Sequence, residues 1–204
     1  MARPTTIPRT QILDAARQLF LEQGFSVSTA TIAHAAGVSE GTIFKRFGTK
    51  NGLFVEAMCP ARLEPGMMPT PGEGAIKDAL AALAVRLIEF YRELMPRMMR
   101  LWAHTQPGEA TPMERLRDGA HPPPPVRLRT MLTEYLAAEA KLGRLGAIEP
   151  KLVAQTLMAT MHNYVFFEMI QCAAHPGSDT DYALGIVDML WGGLAPNHYK
   201  GDPR

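Results

Sequence analysis

Ser28-Thr29-Ala30-Thr31-Ile32-Ala33-His34-Ala35-Ala36, Gly37-Val38-Ser39, then Glu40-Gly41-Thr42-Ile43-Phe44-Lys45-Arg46-Phe47 reads as two short helices around a three-residue turn. Ser28 or Thr29 caps the first helix and Ser39 the second, since a hydroxyl can accept from the orphan N–H groups of a first turn. Gly37 supplies the positive φ that the turn demands. Ile32, Ala33 and Ala36 keep the first helix slim, and Val38, Ile43 and Phe47 plug the crossing. The second helix is left exposing Glu40, Gly41, Thr42, Phe44, Lys45 and Arg46. A short helix with small residues at its start fits a major groove about 12 Å wide. The pattern alone also fits a helical hairpin without a ligand.

Upstream, Ile12, Leu13, Ala16, Leu19 and Phe20 form one helical stripe behind Pro8, with Gly24 as its stop. Downstream, Gly48 ends the recognition helix and Thr49 opens a fourth, carrying Leu53, Phe54, Ala57 and Met58. Prolines and glycines then crowd residues 60–74 and mark a break between domains 1–58 and 59–204. Beyond it the spacing predicts a long helix over 75–104, kinked or split at Pro96, and a short one at the capping box Thr111-Pro112-Met113-Glu114. Three more follow, over 126–142, over 150–172 and from Ser178 or Asp179 to Trp191. No segment alternates at period two, so the fold class is all-α.

Lys plus Arg is 21 and Asp plus Glu 20, which excludes a uniformly basic coat. Residues 1–60, however, hold six Lys or Arg against four Asp or Glu, with Lys45, Arg46 and Lys50 on or beside the second of the two short helices. Cys59 and Cys172 fit no metal or redox spacing and are expected as buried thiols in a reducing cytoplasm. No signal peptide and no apolar run of membrane-spanning length is read. The six histidines make no zinc spacing. No nucleophile–base motif or phosphate loop is present, and Cys172 beside His175 is accidental proximity. No metal, cofactor or catalytic residue is expected, and the chain is not read as an enzyme.

Ile12-Leu13-Asp14-Ala15-Ala16-Arg17-Gln18-Leu19-Phe20, Glu22-Gln23-Gly24-Phe25, Ile32-Ala33, Ala36 through Phe44, Phe47 and Lys50 together resemble the DNA-binding domain of TetR-family transcriptional regulators, over about residues 9–58. Three departures stand out: a loop between Phe25 and Ile32 one residue shorter, Phe44 where the family most often has Tyr, and Lys45-Arg46 where aromatic or His residues are frequent. The resemblance implies a DNA-binding set of Ser28, Thr29, Ser39, Gly41, Thr42, Phe44, Lys45, Arg46 and Lys50. Gly41 and Thr42 approach bases or phosphates, and Phe44 packs on the sugar-phosphate rim. Lys45 and Arg46 take phosphate or guanine edges. Ser28, Thr29 and Lys50 bind phosphate at helix starts.

It also implies an effector pocket in the C-terminal domain and a homodimer made by the last two helices. Methionine is frequent, 13 of 204, and thioethers suit varied apolar shapes. Met98, Trp102, Met131, Tyr135, Met158 and His162 are the expected lining, without an Arg or Lys cluster, so a neutral or cationic apolar molecule is expected. Leu157, Thr160, Tyr164 and Glu168 on one helix, with Ala183, Ile186, Val187, Leu190 and Trp191 on the last, are the expected dimer stripes. The whole reads as a cytoplasmic, ligand-responsive repressor of double-stranded operator DNA. Two alternatives stand beside it: a regulator without an effector, and a helical enzyme or carrier whose hairpin is incidental.

Overall fold

The computed structural model describes residues 7–59, 68–117, 122–170 and 177–194. Among these the chain is helical throughout: α1 Arg9–Gln23, α2 Thr29–Ala36, α3 Glu40–Phe47, α4 Lys50–Met58, α5 Ile76–Ala103, α6 Pro112–Arg117, α7 Pro124–Lys141, α8 Pro150–Met169 and α9 Asp179–Leu194. They form two compact units. One holds Met1–Ala61 and Glu93–Pro124, the other Arg62–Arg92 and Pro125–Arg204. No helix among the described residues is long and apolar enough to cross a membrane.

In the first unit, Ile12, Ala16 and Phe20 are fully buried along one stripe of α1 and meet Ile32, Ile43, Leu53, Phe54 and Ala57, also fully buried. Three aromatic rings centre this core. Phe54 lies edge-on to Phe20 at 5.1 Å and to Phe25 at 5.3 Å, the T-shaped geometry that ring quadrupoles favour. α1 stops at Gly24, whose φ is +72°. A Cβ added there would lie 3.0 Å from the Cβ of His104, so the close approach also favours glycine. α6 begins as its sequence predicts. The Thr111 N–H donates to Glu114 Oε2 at 2.8 Å, and the Glu114 N–H donates to Thr111 Oγ1 at 3.2 Å, a reciprocal capping box.

In the second unit the start of α5 buries Ile76, Leu80, Leu83, Ala84, Leu87, Ile88 and Phe90, and Leu132, Leu136, Ala154, Leu157 and Val165 are further core residues. The sequence predicts a kink or split at Pro96, yet α5 continues through it as one helix. Only the Arg92 carbonyl loses its partner there, while the apolar stripe continues through the buried Leu94, Met98 and Leu101 and favours helix on both sides. α7 starts at Pro124, two residues earlier than expected, because proline suits a first turn. The expected end of α8 at Cys172 lies outside the described residues, as do Cys172 and His175 themselves; Cys59 is buried. α9 is capped by Ser178, whose Oγ accepts from the Asp181 N–H at 3.1 Å while Asp181 accepts from the Ser178 N–H at 3.1 Å.

Two polar clusters tie the second unit together. Arg92 of α5 pairs with Glu168 at 2.9 Å and Asp179 at 2.6 Å, joining α5, α8 and α9. Glu139, fully buried in α7, receives the Gly72 N–H at 3.2 Å and pairs with Arg144 at 3.0 Å, while Arg144 also donates to the Gly74 carbonyl. A buried carboxylate persists when it is paired and hydrogen-bonded in this way.

The faces of α8 and α9 differ from the expected dimer stripes. Leu157, Ala183 and Val187 point into the unit's own core, and Tyr164 stacks on Tyr182 at 4.1 Å. The exposed large apolar side chains are Leu152, Phe166, Phe167, Ile170, Leu184 and Met189. Successive helical residues turn by about 100°, so the inward stripe and the outward one interleave along the same sequence.

Candidate nucleic-acid interface

Each helix of the α2–α3–α4 sequence starts on a hydroxyl cap. Ser28 Oγ accepts from the Thr31 N–H at 3.0 Å, Ser39 Oγ from Thr42 at 3.2 Å and Thr49 Oγ1 from Gly52 at 2.9 Å. Gly37 closes α2 in the left-handed conformation, φ +70° and ψ 30°. The following Val38 N–H returns to the Ala33 carbonyl at 3.0 Å. Ile43 and Phe47 are buried beneath α3, so its other side is turned outward by elimination. Gly37→Val places a β-branched residue at positive φ and is expected to cost about 1–3 kcal/mol. The check is the urea midpoint of the full chain; a loss below half a kcal/mol would remove the turn from the account.

The outward side of α3 carries the groove-reading candidates. Gly41 and Lys45 are exposed, Phe44 is 44% exposed, and Thr42 is half-buried with its hydroxyl 2.9 Å from that of Ser39. Lys45 makes no ion pair among the described residues. An ammonium and a bare aromatic ring next to each other suit a sugar-phosphate rim: one finds phosphate oxygens, the other apolar sugar or a thymine methyl.

Three of the expected contacts also have partners within the chain. Thr29 is buried, and its hydroxyl donates to the Glu40 carboxylate, joining the starts of α2 and α3. It braces the two helix starts. Arg46 is half-buried and donates to the Ile7 carbonyl at 2.7 Å, so its guanidinium holds the residue pair ahead of α1. Lys50 lies 4.5 Å over the ring of Phe25, its ammonium held below the usual lysine range first by burial and then by the neighbouring Arg115. Ser28 and Ser39 are exposed caps, as expected of first-turn hydroxyls.

Arg9 is a positioning residue that the sequence reading lacks. It pairs with Glu56 at 2.6 Å, donates to the Arg46 carbonyl at 3.1 Å and stands 4.2 Å over the Phe47 ring. One guanidinium thus binds α1 to α4 and to the end of α3. Its partners are 37 and 47 residues away, a separation that no local periodicity encodes.

The expected effector lining divides between the two units. Met98 is buried and Trp102 51% exposed in the first. Met131 is half-buried in the second, and Tyr135 is buried there, its hydroxyl pushed up to about 12 by burial and the neighbouring Glu139. Met158 and His162 alone of the six line a cavity of about 260 Å³ in the second unit, together with Tyr91, Val126, Arg129 and Gln155 among others. His162 stands edge-on to Tyr91 at 5.1 Å, its ring held below the ordinary histidine range by burial. Burial pushes the Tyr91 hydroxyl up to about 12. Arg129, outside the expected set, adds one cation to this wall.

The sequence profile of the tetR family of bacterial regulatory proteins matches residues 12–57. The HTH-type transcriptional repressor Rv1474c of Mycobacterium tuberculosis is 36% identical, over 47% of this chain and 56% of its own. The chain spans about half the length of the curated relatives it matches. The flavonoid-responsive regulator FrrA has the same fold, with a TM-score of 0.63 at 21% identity over 92% of this chain and 97% of its own. FadR of Bacillus subtilis, solved in complex with stearoyl-CoA, gives 0.59 at 16% over 91% and 99%. These similar proteins are transcriptional regulators rather than enzymes. The matched residues span most of α1 to α4, with the turn glycine, the three caps and the exposed side of α3 among them, and it is this N-terminal stretch that is similar to the tetR family of bacterial regulatory proteins.

Proposed function

We propose that the chain is a transcriptional repressor that binds operator DNA as a homodimer and releases it when a small molecule occupies the second unit. The observation that carries this reading is the outward side of α3. Its Phe44 and Lys45 are exposed on a short helix whose inward side is fully used in packing. The cavity of about 260 Å³ supports the ligand. Its wall joins an apolar body, from Tyr91, Val126 and Met158, to Arg129, Gln155 and His162. Such a wall suits a largely apolar molecule with one acceptor end. FadR, solved with stearoyl-CoA, lends the analogy of a bound effector. The dimer is supported by the exposed Phe166, Phe167, Ile170, Leu184 and Met189, an apolar set unusual on an isolated surface.

Cavity filling tests the ligand. Ala159 lines the cavity and is exposed, so Ala159→Phe adds bulk without disturbing the core. With a selected operator duplex and apolar compounds screened for release, the variant is expected to bind DNA within about twofold of the parent and to need at least tenfold more compound for release. Equal response would place the effector elsewhere. For assembly, Leu184→Asp with Met189→Asp is expected to convert a dimer to a monomer at micromolar concentration in sedimentation. A dimer that persists would move the interface off this face.

A further inference from the structure

Lys50 opens α4 and Arg115 lies in α6, 65 residues later, yet both stand over one ring. The Lys50 ammonium is 4.5 Å from the Phe25 centroid and the Arg115 guanidinium carbon 3.7 Å. The two distances together bound the separation of the charges at about 8 Å. The arrangement is held firmly. Asn51 Nδ2 donates to the Arg115 carbonyl at 2.7 Å, and Phe25 rests edge-on against Phe54. All of these residues belong to one compact unit.

Among the described residues neither cation makes an ion pair with a carboxylate, although Glu114, held below the ordinary carboxylate range first by hydrogen bonds from Thr111, lies close enough to Arg115 to be lowered in part by its charge. The nearest acid in sequence, Glu114, accepts from the Thr111 N–H at 2.8 Å and the Thr111 hydroxyl at 2.9 Å. One aromatic face attracts a cation but does not neutralise two. The Lys50 ammonium is held below the usual lysine range first by burial and then by Arg115 beside it. An anion between them would offset the repulsion. A phosphate accepts charge-assisted hydrogen bonds of about 2.7–2.9 Å from several donors at once, so one phosphate at the rim of the ring can take a bond from each cation. Both side chains are half-buried and therefore reachable. Lys50 follows Phe47, the last residue of α3, by three positions. An anion bound here lies one tight turn from the end of the groove-reading helix.

We propose that Arg115 of α6, together with Lys50, holds a backbone phosphate of the operator duplex, so that α6 is itself a DNA contact. This rests on the reading of the chain as a duplex-binding regulator and adds a ligand that lies outside the matched residues 12–57.

The test uses the full chain and a duplex selected with it. For Arg115→Gln, the slope of log K against log salt is expected to fall by about one unit, with Arg115→Lys restoring it. A scan of single methylphosphonate substitutions along the duplex is expected to find one phosphate whose neutralisation weakens the parent about tenfold and Arg115→Gln hardly at all. If Arg115 only braces Phe25, the variant will unfold at lower temperature with its slope and methylphosphonate profile unchanged, and the proposal falls. It also falls if inorganic phosphate alone protects the pair while the duplex slope stays at the parent value. A parent that binds no duplex in a salt-dependent way overturns the underlying reading; a parent that binds, with Arg115→Gln indistinguishable from it, overturns this inference alone.

Discussion

Truncating Phe54 to alanine is expected to cost the first unit about 3–5 kcal/mol. The ring is fully buried and meets two others, Phe20 at 5.1 Å and Phe25 at 5.3 Å. Its removal leaves a void lined by residues of α1, α4 and the turn between α1 and α2, none of which can close over it without breaking the other ring contact. A loss of that size is a large part of the stability of an ordinary domain. The denaturation curve of the full chain should therefore lose cooperativity, with helix signal from the first unit melting early and DNA binding lost alongside it. A single transition displaced by less than about 1 kcal/mol would show that the aromatic cluster is peripheral to the fold.

The second large effect concerns the outward side of α3. Phe44→Ala with Lys45→Ala removes an exposed ring and an ammonium that has no partner among the described residues, so the fold has little to lose. Operator affinity is expected to fall by at least 100-fold, with the salt slope lower by about one unit for the lost phosphate contact. The urea midpoint should stay within about 0.5 kcal/mol of the parent, as expected for surface substitutions. Fluorescence anisotropy of a labelled duplex over a salt series reads both quantities. Unchanged affinity in a well-folded double variant would mean that α3 does not face the groove.

The short-range features of the N-terminal region were legible in the sequence. Gly37, Ser39 and Thr49 set the bounds of α2, α3 and α4 because turn and cap chemistry acts over three or four residues. Long side chains were not legible. Arg46 reaches Ile7, Arg9 reaches Glu56 and Lys50 meets Phe25 because the fold brings them together. A basic residue beside a recognition helix therefore does not announce whether it faces DNA or another part of its own chain. The lining of the cavity is hidden in the sequence for a different reason. Its lining on α8 is Gln155, Met158, Ala159 and His162, a clean stripe of three- and four-residue spacing. Mixed polarity hides that stripe from a search for apolar positions. On α7 the lining includes Val126 and Arg129, three apart and on one face, whereas Met131 lies about 200° further round from Arg129. Trp102 continues an apolar spacing from Met98, but it lies at the end of α5 and is half exposed.

Whether α3 reads duplex DNA is decided by selecting from a random duplex library with the full chain and with the Phe44→Ala, Lys45→Ala chain in parallel. The account predicts that the parent enriches a palindromic site. Its half-sites should be separated by whole helical turns, about 10–10.5 base pairs each, as a two-fold dimer with one recognition helix per major groove requires. The double variant should enrich nothing. No enrichment by the parent, or the same site enriched by both chains, would contradict it.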